Sequence, residues 1–335
     1  MRHVVRILLF ALVSVLIPLT MLKYVDWIAA AIAAVANWIV FTVTWNAARI
    51  VDIELVRVNP DPKLVRLYLV YAILSIAALC SAALYGVEPT WAVYGVGAAL
   101  GTFGVLLGGW SLRVTADFIP FLLVTYVIAM LWFTWPLIYV LPLVITGMAM
   151  YGALHDGRKV DVIATAVATV LYLVLLFYSL GSNLFAPVIV YGSVVESTLS
   201  NLVAEVVSLL IFFTIVGICE ELSSRALIPL VGSATAAVFV LLHIPSRFYG
   251  LLLPTILDTG NITDVCAAAV LYVSSMLYLM APTYILTAVA LRHGLLSAML
   301  MHALFDTLVS IPSTIATITL LVTGIVYLVA RRREM

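Results

Sequence analysis

Apolar runs of about 20 residues, the length a helix needs to cross a hydrocarbon core, recur from one end of this chain to the other. On that ruler, spans fall near 4–22, 25–45, 67–86, 91–110, 118–135, 136–154, 162–180, 202–222, 233–250, 265–291, 295–310 and 312–330. The predicted fold class is all-α, a polytopic integral membrane helical bundle of about 12 transmembrane helices within a range of 8–12. A division is expected at Trp135–Pro136, because the apolar stretch around it is too long for one crossing, and Pro282 is expected to kink or divide the tenth span. The segment 247–264, "RFYGLLLPTILDTGNITD", reads as an outer loop carrying the sequon Asn261-Ile262-Thr263.

Composition removes the soluble alternatives. Of 335 residues 65% are hydrophobic and 10% charged, with a mean hydropathy of +1.23, which exceeds what a globular fold can cover with polar surface. No polar block is large enough to fold alone, so one embedded body is expected. Within it, 1–198 reads as amino-terminal helices without an assignable role, 199–311 as the functional core, and 312–335 as a last helix with a basic tail. The balance of 16 bases and 16 acids gives no basic field for nucleic acid, and no phosphate-binding glycine loop occurs. Cys80, Cys219 and Cys266 lie far apart without CxxC spacing, which implies neither a disulfide framework nor a thiolate metal site. The first apolar stretch lacks a small-residue cleavage pattern and reads as a retained helix.

Basic residues then orient the spans, since cytoplasmic loops are enriched in Lys and Arg. With the amino terminus inside, Arg2, Arg6, Arg49, Arg57, Lys63, Arg66, Arg113, Arg158, Lys159, Arg225, Arg292 and the "RRR" tail all fall on the cytoplasmic side. Both termini are therefore expected to be cytoplasmic.

Polarity is uneven along the spans. Those before about residue 200 are nearly free of ionisable groups, whereas 200–310 carries Glu205, Glu220, Glu221, Arg225, His243, His302 and Asp306. A charge at mid-span costs about 2.5–3.5 kcal/mol on insertion scales, so such groups pair or face a wet cavity. Glu221 and Arg225, at i and i+4, suit an ion pair, and Glu220, rotated by about 100°, is free to address another neighbour. Phe239 and His243 share a stripe four residues apart, as do His302 and Asp306. Taken singly, the histidines suit hydrogen-bonding struts and Glu221–Arg225 an orienting salt bridge. Glu205 suits an interface acid and His293 a solvated turn. Together, an acid pair, two histidines and an aspartate on three polar-striped helices point to a functional site.

The same residues carry a resemblance. "EELSSR" fits EExxxR, "FVLLH" fits FxxxH and "HALFD" fits HxxxN/D, in that order, over roughly 200–310. This resembles the CPBP intramembrane proteases, the type II CAAX-type endopeptidases. The resemblance implies hydrolysis of a peptide bond near the carboxy terminus of a membrane-anchored or prenylated protein or peptide substrate within the lipid bilayer. Glu220 with His243 would activate water, His302 and Asp306 would line the oxyanion site, and Glu221 with Arg225 would brace them. Asparagine is common in the family at position 306, and an ionised aspartate cannot donate to an oxyanion. No cofactor is expected. The alternative is Zn²⁺ held by Glu220, His243, His302 and Asp306, although no HExxH helix is present. Two further readings of the polar cluster stay open: a proton-relaying transporter and a non-catalytic binding protein.

Overall fold

The computed structural model describes residues 2–56, 59–85, 90–132, 137–182, 199–259 and 261–334. The expected division at Trp135–Pro136 and the basic position Arg57 lie outside them. In chain order the apolar helices are α1 (Val4–Lys23), α2 (Trp27–Leu55), α3 (Pro62–Tyr85), α4 (Ala92–Gly108), α5 (Ala116–Leu131) and α6 (Ile138–His155). They continue as α7 (Lys159–Ser179), α8 (Val203–Val231), α9 (Ala234–Leu257), α10 (Ile262–His293), α11 (Leu295–Ser310) and α12 (Ser313–Glu334). Among the described residues nine helices are long and apolar enough to cross a membrane, while α4, α5 and α11 are shorter. Among the described residues there is no strand. The chain is an α-helical integral membrane protein.

The most enclosed helix is α10, which packs against α2, α6 and α7. Its alanine run Ala267–Ala269 is buried, as are Ala33 and Ala36 of α2. Small side chains let helix backbones approach closely where no solvent drives association. Hydrogen bonds then fix the register. Tyr172 of α7 pairs with Ser274 of α10 at 2.9 Å. The Tyr272 hydroxyl donates to Asn37 on α2, whose amide donates to the Val13 carbonyl of α1 at 2.9 Å. In the opposite sense α8 and α12 are the least enclosed. Val203, Val207, Ile211, Ile215 and Ile218 of α8 point outward, as expected for a helix with one face in lipid.

Local departures from the sequence reading, around the expected outer loop, have physical causes. The expected outer loop 247–264 is helical through Leu257, because Phe248, Leu252 and Ile256 form a buried stripe at i, i+4 and i+8. A π-helical turn over Phe248–Leu252 lets the chain continue past Pro245 and on to Pro254. Asn261 of the sequon caps α10, accepting from the Asp264 amide at 2.9 Å. As expected from Pro282, α10 divides, at Leu279, into Ile262–Tyr278 and Met280–His293.

Candidate active site

The end of α8 is where the site begins. Regular α-helix stops at Ser223, Ser224 takes φ −124° and ψ −76°, and a 3₁₀ turn follows over Arg225–Leu227. Breaking a helix orphans carbonyls, and neighbours supply donors here. The Tyr68 hydroxyl of α3 donates to the Ser223 carbonyl and the Trp110 indole to the Ala226 carbonyl, each at 2.9 Å. Ser223 and Ser224 donate back to the Glu220 carbonyl at 3.0 and 2.6 Å.

This break aims Arg225 inward. Its guanidinium lies 3.1 Å from Glu221 Oε1, donates to Ser224 Oγ at 3.0 Å, and stacks 4.2 Å above the Phe239 ring. Both Glu221 and Arg225 are fully buried. The i, i+4 ion pair is formed as the spacing predicts, and the same Glu221 oxygen also accepts from His302 Nδ1 at 2.8 Å. On the other side of that ring, Nε2 lies 3.5 Å from Glu220 Oε2 and 3.4 Å from Asp306 Oδ2. His302 is thus the hub, with three carboxylates around one imidazole.

His243 joins through its aromatic neighbour. Its ring centroid lies 4.9 Å from that of Phe239, which is 6.3 Å from that of His302. Its Nδ1 is 2.8 Å from the Phe239 carbonyl. A carbonyl only accepts, so the proton belongs on Nδ1 and the lone pair on Nε2. Glu220 and His302 are both within electrostatic reach of this ring. Glu220, Glu221, Arg225, His243, His302 and Asp306 are therefore gathered in one cluster. Glu205 stands apart on the exposed face of α8.

Four further residues at or beside the cluster carry no signature in the motifs. Besides Tyr68 and Trp110, Arg247 lies one turn beyond His243 and close enough to be felt by it, and Tyr94 of α4 stands beside Glu220. Tyr94 arrives by a glycine seam. Gly97, Gly101 and Gly104 follow it at helical spacing, and a Cβ at Gly101 or Gly104 would run into the Leu222 or Ala226 carbonyl of α8. The available signal was "YGVGAALGTFG", a small-residue pattern of the kind that lets helix backbones touch.

Three carboxylates face one guanidinium and two imidazoles, so charge balance favours protons shared within the cluster. Each ring's Nδ1 is held by an acceptor, Glu221 for His302 and the Phe239 carbonyl for His243, which leaves the two Nε2 atoms as the only imidazole nitrogens a metal could take. Among the described residues no group of three or more His, Cys, Asp or Glu side chains is arranged to hold a metal ion. Clefts of about 480 and 310 Å³ occur elsewhere, and none of these six residues lines them. No family model, curated protein or solved structure matches the chain.

Proposed function

We propose that this protein is an intramembrane endopeptidase of the CPBP type, cutting a peptide bond near the carboxy terminus of a membrane-bound or prenylated substrate. The observation that carries the reading is the meeting of the EExxxR, FxxxH and HxxxD side chains, from three helices, around His302. In this mechanism Glu220, assisted by the free Nε2 of His243, takes a proton from water as hydroxide attacks the scissile carbonyl carbon. In the imidazolium form His302 donates through Nδ1 to Glu221 and also carries a proton on Nε2, which sits beyond normal hydrogen-bond length from both neighbouring carboxylates and is therefore available to the oxyanion. Collapse of the tetrahedral species breaks the C–N bond, and the leaving amine takes the proton from Glu220. Asp306 acts by orienting His302 and has no need to donate. Glu221 and Arg225 hold the opposite edge of the ring.

The proposal also assigns α4, α5 and α11 as crossings, giving twelve spans with both termini cytoplasmic. Arg6, Arg49 and Arg158 gather at one end of the bundle, and Arg113 donates to the Arg292 carbonyl at 3.0 Å. Both groupings agree with basic residues sharing one membrane face.

Purified protein should cleave a prenylated CAAX-type peptide, and Glu220→Ala or His243→Ala should abolish cleavage. Variants that cut like wild type would remove these roles. Running the assay with a chelator beside elemental analysis tests the zinc version, which requires activity to fall with metal content.

A further inference from the structure

The larger cleft, of about 480 Å³, lies between the start of α1, the end of α2, the start of α3, the α6–α7 turn and the start of α9. Arg6, Arg49 and Arg158 line it together with Asp52 and Asp156, against apolar walls that include Trp45, Val65 and Leu69. We propose that this cleft binds a phosphate ester, the headgroup of a membrane phospholipid or a free phosphate of the same chemistry.

The guanidiniums are positioned before any ligand arrives. Buried Asp161, beneath the cleft, holds Arg6 at 2.9 Å, Arg158 at 3.4 Å and Arg49 at 3.5 Å. Arg6 also stacks 5.1 Å from the Trp45 ring. Fixing three guanidiniums on one acid removes the entropy cost of gathering them, which otherwise weakens anion binding. Arg49 Nε is buried without a hydrogen-bond partner, a donor that a phosphate oxygen would satisfy. Of the two acids in the lining, Asp52 is committed to α9, accepting from the Ser233 amide at 2.8 Å. Asp156 pairs with Arg49, yet its side chain is one-third exposed on a turn, so an incoming phosphate can displace it. Formal charges around the cleft then rearrange without leaving a buried cation bare. A cleft where helix ends meet, lined by three arginines and with apolar walls, matches the depth at which phospholipid headgroups sit.

Native mass spectrometry of the delipidated full-length protein provides the test, using phosphatidylglycerol, diacylglycerol and glycerol 1-phosphate as probes. Wild type should retain one phosphatidylglycerol and no diacylglycerol. Arg158→Gln, a change at a 41% exposed side chain, should weaken retention by about fivefold, whereas Asp156→Asn, which removes the competing acid, should strengthen it. Arg113→Gln, remote from the cleft, is the control and should change nothing. Glycerol 1-phosphate binding as tightly as the lipid assigns the site to free phosphate, and binding of the lipid alone assigns it to the headgroup. The proposal is overturned if neither phosphate probe binds, if diacylglycerol binds equally, or if Arg158→Gln and Asp156→Asn shift retention no more than Arg113→Gln.

Discussion

Two buried charge clusters sit in this bundle, and they are built on opposite plans. Around Asp161 three arginines serve one carboxylate, and both of its oxygens are engaged. Around His302 the ratio is reversed, with Glu220, Glu221 and Asp306 against one imidazole, and Arg225 paired with Glu221 among these acids. Hydrogen-bonding capacity is left unused in both, on Arg49 Nε in the first and on Glu221 Oε2, Arg225 Nε and Arg225 Nη2 in the second. Burying a charge costs several kcal/mol unless its partners compensate. A saturated acid locks helices together, whereas an excess of carboxylates beside a histidine keeps protons in play. The difference separates a cluster suited to holding structure from one suited to chemistry.

Removing the proposed base tests that contrast most severely. Glu220→Gln keeps the volume and the Tyr94 contact while abolishing proton acceptance, so peptidase activity should fall by about 10²–10⁴-fold with the thermal midpoint little changed. A loss of folding instead of activity would place Glu220 in the same structural class as Asp161. Asp161→Ala should show the converse. Stranding three arginines at a buried position is expected to cost about 3–5 kcal/mol, read as a lower thermal midpoint, and activity per folded molecule should persist. Equal losses of turnover and stability in both variants would erase the distinction.

The unequal legibility of the two clusters has a physical origin. Glu221 with Arg225, Phe239 with His243, and His302 with Asp306 are each four residues apart on one helix, and helical periodicity alone places such pairs on a face. The Asp161 cluster joins Arg6, Arg49 and Arg158 from different helix ends, and each arginine alone looks like an ordinary topology signal. Counting charges per span made the first half of the chain seem uncharged, because no local spacing reports a contact across 155 residues. Tyr94 and Trp110 were hidden for the same reason. They meet α8 through tertiary packing, and only the glycines after Tyr94 hint at the approach. The π-helical turn after Arg247 escaped because "GLLLPT" carries loop residues, and only the buried stripe of Phe248, Leu252 and Ile256 overrides them.

A smaller effect tests whether the amino-terminal helices shape the site or only surround it. Gly101→Ala places a methyl group against the Leu222 carbonyl, a backbone atom that cannot swing aside. Overpacking of this kind costs about 1–3 kcal/mol, and here the strain falls one or two residues from Glu220 and Glu221. Turnover should drop along with stability, while Gly147→Ala, where an added Cβ meets nothing within 4 Å, should leave both unchanged. If Gly101→Ala lowers stability without touching turnover, the α4–α8 seam is packing alone.

The finest distinction concerns a side chain that reaches the site from the first half of the chain. Tyr94 stands beside Glu220, so Tyr94→Phe removes one polar neighbour of the carboxylate and leaves the ring in its seam. Glu220 keeps His302 nearby, so the expected loss in kcat is small, about tenfold at most, with the thermal midpoint little changed. An unchanged kcat would mean that Tyr94 positions the helix and leaves Glu220 to its carboxylate and imidazole neighbours.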